Sequence, residues 1–480
     1  MIDCALISVP PLLLNGPHLG PGVLKAYAKS KGYSVKCFNP SVDFSYHMQP
    51  NDKKSWPYTI FNKEFEKRYD VNWHVNQWLD KVFESQPTLI GLSIHTWSGE
   101  YFAHKISKQI RLRRPDIKIA LGGSATIEVA DDLFDAGLID YHVVGDGEEA
   151  FLNMLQGKFD HPAINSKKPH AISIEEFNNL PYPDFSDSDF DFFKAQGKEN
   201  RLYLIGSRGC VFDCSFCNVP TMMKYRFKDG EKFATEIRYM QDKYQTGVIE
   251  FGDSLINGSL REFRKLINKL AQLNKETPEN VPRIVSFYRI RPKSQAPEED
   301  FKLMSEAGFY RLKIGVESGS DDVRKHMGKT ETNEDILYTL EMCQKYNINV
   351  NFLIIVGYPT ETEKDFQDTM TMLKEIHETG LDSVVDRAVV NELYISTGTG
   401  IYNQIDELEI KNALGSVDDK MARPWSRTLP NGEVIDAEVR EQRLKTAIEY
   451  IENHFGQSGG HLMVFSGKED SNRKVEGDKT

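Results

Sequence analysis

The 480-residue sequence has no apolar run long enough to cross a bilayer. Its N-terminus, MIDCALISVPPLLL, lacks the basic region and small-residue cleavage site of a secretory signal, so a cytoplasmic protein with no membrane span is expected. Positive charge is in deficit, with 59 Lys and Arg against 71 Asp and Glu and a net charge of −12. Proteins that bind nucleic acid displace counterions with a basic face, so no nucleic-acid partner is expected. Cysteine is scarce as well: the six are Cys4, Cys37, Cys210, Cys214, Cys217 and Cys343. Three of them fall within eight residues and the others are scattered. That distribution does not make a secreted disulfide framework, and the close trio needs its own explanation. No repeat of solenoid type is present.

What is present suits a soluble globular chain, with 40% hydrophobic and 27% charged residues and enough length for two or three domains. Residues 1–157 alternate strand-like and helix-like stretches, as a parallel doubly wound sheet does. The pattern predicts strands at 3–9, 34–39, 89–95, 118–121 and 141–144, with helices at 22–31 and 101–113 among those between them. Residues 43–78 are aromatic and polar, break the rhythm, and read as an insertion. Residues 158–197, rich in Pro, Asp and Ser, read as a linker.

A second series predicts strands at 202–207, 248–252, 284–289, 311–316, 349–356 and 383–390, each followed by a helix. Six such units over 198–402 predict a partial TIM-type (β/α)6 barrel with its site at the C-terminal ends of the strands. Residues 403–466 form a C-terminal region with one helix at 437–454, and the polar stretch 467–480 is expected to be disordered. The fold class is thus α/β, a flavodoxin-like doubly wound domain followed by a partial barrel and a short helical region.

Cys210, Cys214 and Cys217 follow the first strand of the second series with C-x-x-x-C-x-x-C spacing. Three thiolates on one loop can hold three corners of a cubane and leave the fourth iron open. Structural zinc is the alternative, but it needs four ligands. No histidine lies between His170 and His326, and Cys343 falls in a distant helical stretch.

This spacing, with Phe216 before the third cysteine, resembles the radical SAM superfamily. The resemblance implies a [4Fe–4S] cluster whose open iron chelates S-adenosylmethionine, and a 5′-deoxyadenosyl radical formed when one electron cleaves it. Further matches run strand by strand from 201 to 402. Phe251-Gly252-Asp253-Ser254-Leu255 resembles the second-strand motif, which gives Asp253 the methionine amino group with Ser254 beside it. The family's commoner Gly-Gly-Glu is here Gly-Asp-Ser. Gly315-Val316-Glu317-Ser318-Gly319-Ser320 resembles the fourth-strand motif, with Glu317 as a hydrogen-bond acceptor for the cofactor. Val356-Gly357-Tyr358-Pro359 resembles the fifth-strand turn and adds Gly357 and Pro359 to the cofactor set. Gly398-Thr399-Gly400 resembles a turn after the sixth strand. Each is weak alone, because glycines also end helices and turns; the order and spacing carry the resemblance.

The first domain resembles the cobalamin-binding domain that precedes the barrel in one subgroup. The resemblance implies cobalamin held by Gly20, Ser93, Gly122, Gly123, Gly145 and Gly147, on the rule that such sheets bind ligands at the carboxyl ends of their strands. Asp140-Tyr141-His142-Val143-Val144-Gly145 matches the D-x-H-x-x-G string in which histidine ligates cobalt. It stands near the last strand, not after the first, so His142 is not expected to be a ligand. His18, in the loop after the first strand, reads as a solvated loop residue.

The implied function is a cobalamin-dependent radical SAM methyltransferase acting on an unactivated carbon of a small-molecule or lipid-like substrate, with a flavodoxin or ferredoxin as electron donor. One alternative is radical rearrangement, cyclisation or oxidation without corrinoid. Another is a non-catalytic iron–sulfur binding or sensor protein. A tRNA methylthiotransferase is disfavoured: that family's N-terminal domain carries three further cysteines that this chain lacks, and the acidic balance does not suit RNA.

Overall fold

The computed structural model describes residues 1–56, 61, 63–195, 201–412 and 425–455. Its chain divides into two compact units. One comprises Met1–Gly209, Met222–Ser254 and Ser259–Ile284; the other comprises Cys210–Thr221, Leu255–Gly258 and Val285–Thr480.

The N-terminal sheet is built from β1 (Ile2–Ser8), β2 (Val35–Phe38), β3 (Pro87–Ser93), β4 (Lys118–Gly122) and β5 (Tyr141–His142). They pair in parallel in the order β2-β1-β3-β4-β5, the flavodoxin-like order, whose direction reverses between β1 and β3. Alternating side chains feed two cores, as the strand period of two requires. Cys4 and Leu6 pack with Ala28, Ala150, Phe151 and Met154 on one face. Ala5 and Ile7 pack with Val75, Leu79, Phe102 and Ile106 on the other.

The stretch 43–78 is not an insertion outside the repeat. It carries helices Pro40–Ser45, Pro50–Ser55 and Lys63–Arg68 and the first part of Val71–Glu84, and it forms the crossover from β2 to β3. Phe44, Trp56, Phe65, Tyr69 and Trp78 are core, while Tyr46 and Trp73 are exposed. The Phe44 ring lies 5.2 Å from Trp56, 5.3 Å from Tyr69, 5.9 Å from Trp78 and 6.2 Å from Phe102. Burial of such rings contributes roughly 1.5–3 kcal/mol each, so the crossover adds to the core of the sheet. The stretch 158–195 packs against helix Leu19–Ser30: Lys25 Nζ lies 2.6 Å from Asp187, and Phe185 fills the space that a side chain at Gly22 would occupy.

The second series begins with β6 (Arg201–Leu204) and a short antiparallel pair, β7 (Ser207–Arg208) and β8 (Arg226–Phe227). It continues with β9 (Val248–Phe251), β10 (Arg283–Phe287), β11 (Phe309–Glu317), β12 (Asn349–Val356) and β13 (Val385–Glu392). The sheet order is β13-β12-β11-β10-β9-β6. Helices Gly230–Tyr244, Leu260–Glu276, Glu298–Glu306, Asn333–Lys345 and Glu363–Glu378 follow β6, β9, β10, β11 and β12, as expected; after β13 comes only the four-residue helix Gly400–Asn403, so the sixth unit is cut short. The helix at Ala437–His454 is as expected. An antiparallel pair, β14 (Arg427–Thr428) and β15 (Val434–Ile435), was not foreseen. No helix among the described residues is long and apolar enough to cross a membrane. The stretch 467–480 lies outside the described residues.

Candidate functional site

Cys210, Cys214 and Cys217 are free and half-buried on the loop that follows β7. Backbone and side-chain bonds fix this loop from the barrel side. The Ser215 amide donates to the Met327 carbonyl at 3.0 Å, and the Ile401 amide donates to the Ser215 carbonyl at 2.7 Å. Ser215 Oγ lies 2.7 Å from the Tyr358 hydroxyl, which lies 3.0 Å from His326 Nδ1. A side chain at Gly400 would press on the Ser215 backbone, so the 398–400 turn closes over the loop. Phe216 packs partly buried against the cluster of Tyr358, Ile395 and Ile401.

Charge surrounds the second cysteine. Arg289 Nη1 donates to Cys214 Sγ at 3.3 Å and Nη2 reaches Glu331 at 3.1 Å. Lys329 Nζ sits 3.5 Å from Glu317 and 3.3 Å from Glu331 and also donates to the Gly315 carbonyl. Two cations and two carboxylates, all buried, thus offset one another beside a thiol. Burial raises the Cys214 thiol, and Lys329 and Arg289 pull it back down. Burial lifts Cys217 to about 11, against the amide of Val219, which favours the thiolate. Burial also raises the Glu317 carboxyl against the pull of Lys329. Glu317 has φ +68° at a bulge in β11, strain of the kind that gathers at functional positions.

The donor set fits an iron–sulfur cubane better than zinc. Four tetrahedral sulfur ligands at Zn–S ≈ 2.3 Å would stand about 3.8 Å apart. Among the described residues, the one group of three or more Cys, His, Asp or Glu whose ligand atoms gather within 4.8 Å contains no cysteine. Three thiols are one ligand short of structural zinc but leave one corner of a cubane open, and the cations beside Cys214 suit an anionic cluster.

Asp253 is buried just beyond β9. Its two oxygens accept from Ser207 Oγ at 2.6 Å and from the Gly206 amide at 3.0 Å, and burial raises its pKa to about 6. Ser254 is exposed. Gly357 has φ +69°; its amide donates to Glu361 at 2.7 Å, and a side chain there would strike Arg440. The Pro359 carbonyl accepts from Arg427 at 2.7 Å.

In the N-terminal sheet, Gly20, Ser93, Gly122 and Gly123 come together at the carboxyl ends of the strands. Ser93 ends β3 and pairs in register with Gly122 and with Ser8. A Cβ on Gly20 would meet Ser93 Oγ at 3.6 Å. Gly122 has open space where a side chain would stand; Gly123, at φ +114°, is pressed against the Ile94 backbone. His18 is not a solvated loop residue. It is half-buried, 3.3 Å from Ser8 Oγ and 5.6 Å edge-to-face from His95, and burial pushes its pKa down to about 3. His95 is lowered by burial too, with Nδ1 3.0 Å from Ser124 Oγ. The pair stands at the β1/β3 switch point, where this fold binds ligands.

Gly145 and Gly147 lie elsewhere. Gly145, at φ +89°, admits the His170 backbone, and Gly147 caps helix Glu148–Leu155. His142 is buried in β5 against Phe134, two strands from the switch point.

Sequence reasoning missed Arg289, Lys329, Glu331 and His326, gave Tyr358 no role of its own within its motif, and placed His95 beside a corrinoid only as part of the stretch 95–97. The signals for the first three stand in the sequence, since Arg289-Ile290-Arg291 comes just after the end of β10 and Gly328-Lys329-Thr330-Glu331 follows a family-like motif.

Residues 204–373 match the model of the Radical SAM superfamily. An uncharacterized methyltransferase of Pyrococcus horikoshii is 21% identical over 60% of this chain, which spans 64% of that relative's length. A tRNA-2-methylthio-N(6)-dimethylallyladenosine synthase of Bdellovibrio bacteriovorus is 25% identical over 56% of this chain and 57% of its own. The structure of the radical S-adenosylmethionine methyltransferase TsrM from Kitasatospora setae, with cobalamin and a [4Fe–4S] cluster bound, superposes with TM-score 0.63. It is 15% identical over 84% of this chain and 74% of its own. The cobalamin-dependent S-adenosylmethionine radical enzyme OxsB, with aqua-cobalamin bound, gives TM-score 0.67 at 16% identity over 95% of this chain and 67% of its own.

Proposed function

We propose, from the premise that this chain is a radical SAM enzyme whose domain covers residues 204–373, that it is a cobalamin-dependent methyltransferase. Its substrate would be an unactivated carbon of a small-molecule or lipid-like compound. The observation that carries the reading is a fold likeness to OxsB over 95% of the chain, extending well beyond the radical SAM domain. The open space over Gly122 at the switch point supports it.

When bound, the cluster with S-adenosylmethionine supplies a hydrogen-abstracting 5′-deoxyadenosyl radical, and methylcobalamin supplies the methyl group. Cys210, Cys214 and Cys217 hold three irons. Arg289 and Lys329 offset the negative charge of the thiolates in a site of low dielectric, where such pairing counts for most. Glu317 and Asp253 take the cofactor's polar groups: a carboxylate has about four lone-pair sites, so Asp253 can accept a further donor besides Ser207 and Gly206. Gly20, Ser93 and Gly122 leave room for a corrinoid against the sheet edge. A flavodoxin- or ferredoxin-class donor supplies the electron.

Methylthiolation of tRNA is the reading that the Bdellovibrio relative raises. Before the cysteine loop this chain has only Cys4 and Cys37. Cys4 is fully buried in β1 and Cys37 stands on the neighbouring strand β2, so these two fall short of the three N-terminal cysteines that such a second cluster takes.

The test is anaerobic reconstitution with iron, sulfide and hydroxocobalamin. The visible spectrum of the desalted protein is then read, and 5′-deoxyadenosine and S-adenosylhomocysteine are assayed after reduction with S-adenosylmethionine. Retained corrinoid together with both products is expected. Cleavage of S-adenosylmethionine without retained corrinoid would turn the reading to corrinoid-free radical chemistry.

A further inference from the structure

Outside both of these regions, one group of side chains has the composition of a metal site. Glu149, His161 and His170 place their ligand atoms within 4.8 Å of one another. His170 Nε2 is 3.1 Å from Glu149 Oε2, and His161 Nε2 is 3.8 Å from the same oxygen. The two imidazole rings stand edge to face with centroids 5.1 Å apart. All three residues are half-buried.

We propose that Glu149, His161 and His170 form a binding site for a divalent transition-metal ion with nitrogen and oxygen ligands, zinc being the ion best suited. Three arguments support it. The donors match zinc's preference for imidazole and carboxylate at about 2.0–2.2 Å, so ligand atoms about 3.4 Å apart are required, close to the separations seen. Among the described residues the ion-pair partners of Glu149 are the two imidazoles alone, with no lysine or arginine. Glu176 brings a second carboxylate to the Glu149 side chain. Two carboxylates beside two imidazoles make a set of nitrogen and oxygen donors.

The backbone holds this geometry. Glu149 lies in the first turn of helix Glu148–Leu155. The His170 amide donates to Val144 at 2.8 Å, and the His170 carbonyl accepts from Asp146 at 2.9 Å. Gly145 must lack a side chain for this approach. Ile164 bridges to Val143, which brings the His161 loop back to the same strand end. An ion here would staple residues 161–170 to the helix. Loading has a stated cost: the Ala163 amide donates to His161 Nδ1 at 3.1 Å. Zinc at Nε2 would move the ring proton to Nδ1 and break that bond.

The test uses the full-length protein, dialysed against zinc with the cysteine cluster intact. Zinc and iron are counted by mass spectrometry, and the zinc K-edge fine structure is recorded. About one zinc per chain with nitrogen and oxygen scattering, imidazole included, is expected. Glu149→Gln and the double variant His161→Ala with His170→Ala should each bind zinc more than about a hundredfold more weakly, with iron content unchanged. Absence of zinc from the wild type, unchanged zinc in the folded variants, or sulfur scattering alone would overturn the proposal. The spectrum of the wild type decides the matter even if a variant fails to fold.

Discussion

The cysteine loop and the carboxyl edge of the N-terminal sheet are both candidate cofactor sites, yet they are built from opposite materials. The loop is charged. Three thiols stand among Arg289, Lys329, Glu317 and Glu331, all four of them buried. The sheet edge is nearly neutral, made of Ser8, Ser93, Gly122 and two histidines that burial holds unprotonated. A small anionic cluster must be held by ligands and counter-charges, so its site is written in residue types. A large, mostly neutral macrocycle needs room more than charge, so its site is written in the space left by missing side chains.

The largest expected effect falls on the charged region. Replacing Cys210, Cys214 or Cys217 by Ala removes a corner ligand, and both the cluster's absorption near the visible edge and cleavage of S-adenosylmethionine should disappear. Cys4, Cys37 and Cys343 should be replaceable by Ala with iron content retained, since free cysteines packed in a core act as small hydrophobes. If a triad variant kept its iron, ligation would have to come from elsewhere and the contrast between the regions would dissolve.

Next in size is Arg289→Leu. It removes the cation 3.3 Å from Cys214 Sγ and one of the two cations beside Glu331. Breaking a buried pair costs about 3–5 kcal/mol, measurable by denaturant titration of the cluster-free protein. Loss of the positive charge 3.3 Å from the sulfur of Cys214 should also lower the reduction potential of a cluster held there. A potential unchanged in spectroelectrochemical titration would show that solvent, not Arg289, screens the cluster.

Asp253 supplies a pH-dependent term of similar size. Burial raises its carboxyl to about 6 in the fold, from the ordinary carboxylate value of 3.8. The unfolded state therefore releases its proton first, and this contribution to stability, full below about 3.8, is lost as pH rises to about 6 and is flat beyond. The shift corresponds to about 3 kcal/mol. Asp253→Asn should flatten the stability profile of the cluster-free protein between pH 4 and 6 relative to wild type. If the slope persisted in the variant, another buried acid would be responsible. For cofactor binding, Glu317→Ala should weaken S-adenosylmethionine by roughly 1–3 kcal/mol, the cost of deleting a partner from a charged hydrogen bond. Equilibrium dialysis would measure this, and an unchanged affinity would take Glu317 out of the cofactor set.

The same division explains what could be read from the sequence. The strands of both sheets were legible to within a few residues, because buried parallel strands are continuous apolar runs between turn residues. The crossover at 43–78 was not. Its first three helices have six residues each, too short to establish a 3.6 period, so Phe44, Trp56 and Phe65 read as an interruption although they are core. The β14–β15 hairpin could have been found, since Asn431-Gly432 is a strong hairpin turn signal and Gly432 has φ +87°. The three thiols announced their loop by spacing. Arg289 and Tyr358 reach it only through the fold, 75 and 143 residues from their partners Cys214 and Ser215. His18 and His95, on separate loops, meet only once β1 and β3 are neighbours.

The smallest expected effect on stability is the sharpest test of the neutral region. Gly122 and Gly123 are adjacent and were indistinguishable in the sequence. A Cβ at Gly123 would collide with the Ile94 carbonyl, and φ +114° is a conformation that side chains disfavour, so Gly123→Ala should cost about 1–3 kcal/mol of stability whether or not a ligand binds. A Cβ at Gly122 meets nothing within 4 Å, so Gly122→Ala should leave stability within about 0.5 kcal/mol of wild type. If that space belongs to a corrinoid, Gly122→Ala and more so Gly122→Leu should lower retained cobalamin in the visible spectrum of the desalted protein, with iron unchanged. His142→Ala, two strands away, should leave cobalamin retention as it is. A Gly122→Leu protein that kept full cobalamin would show that the open space at the switch point serves something else, and the neutral region would lose its claim to be a cofactor site.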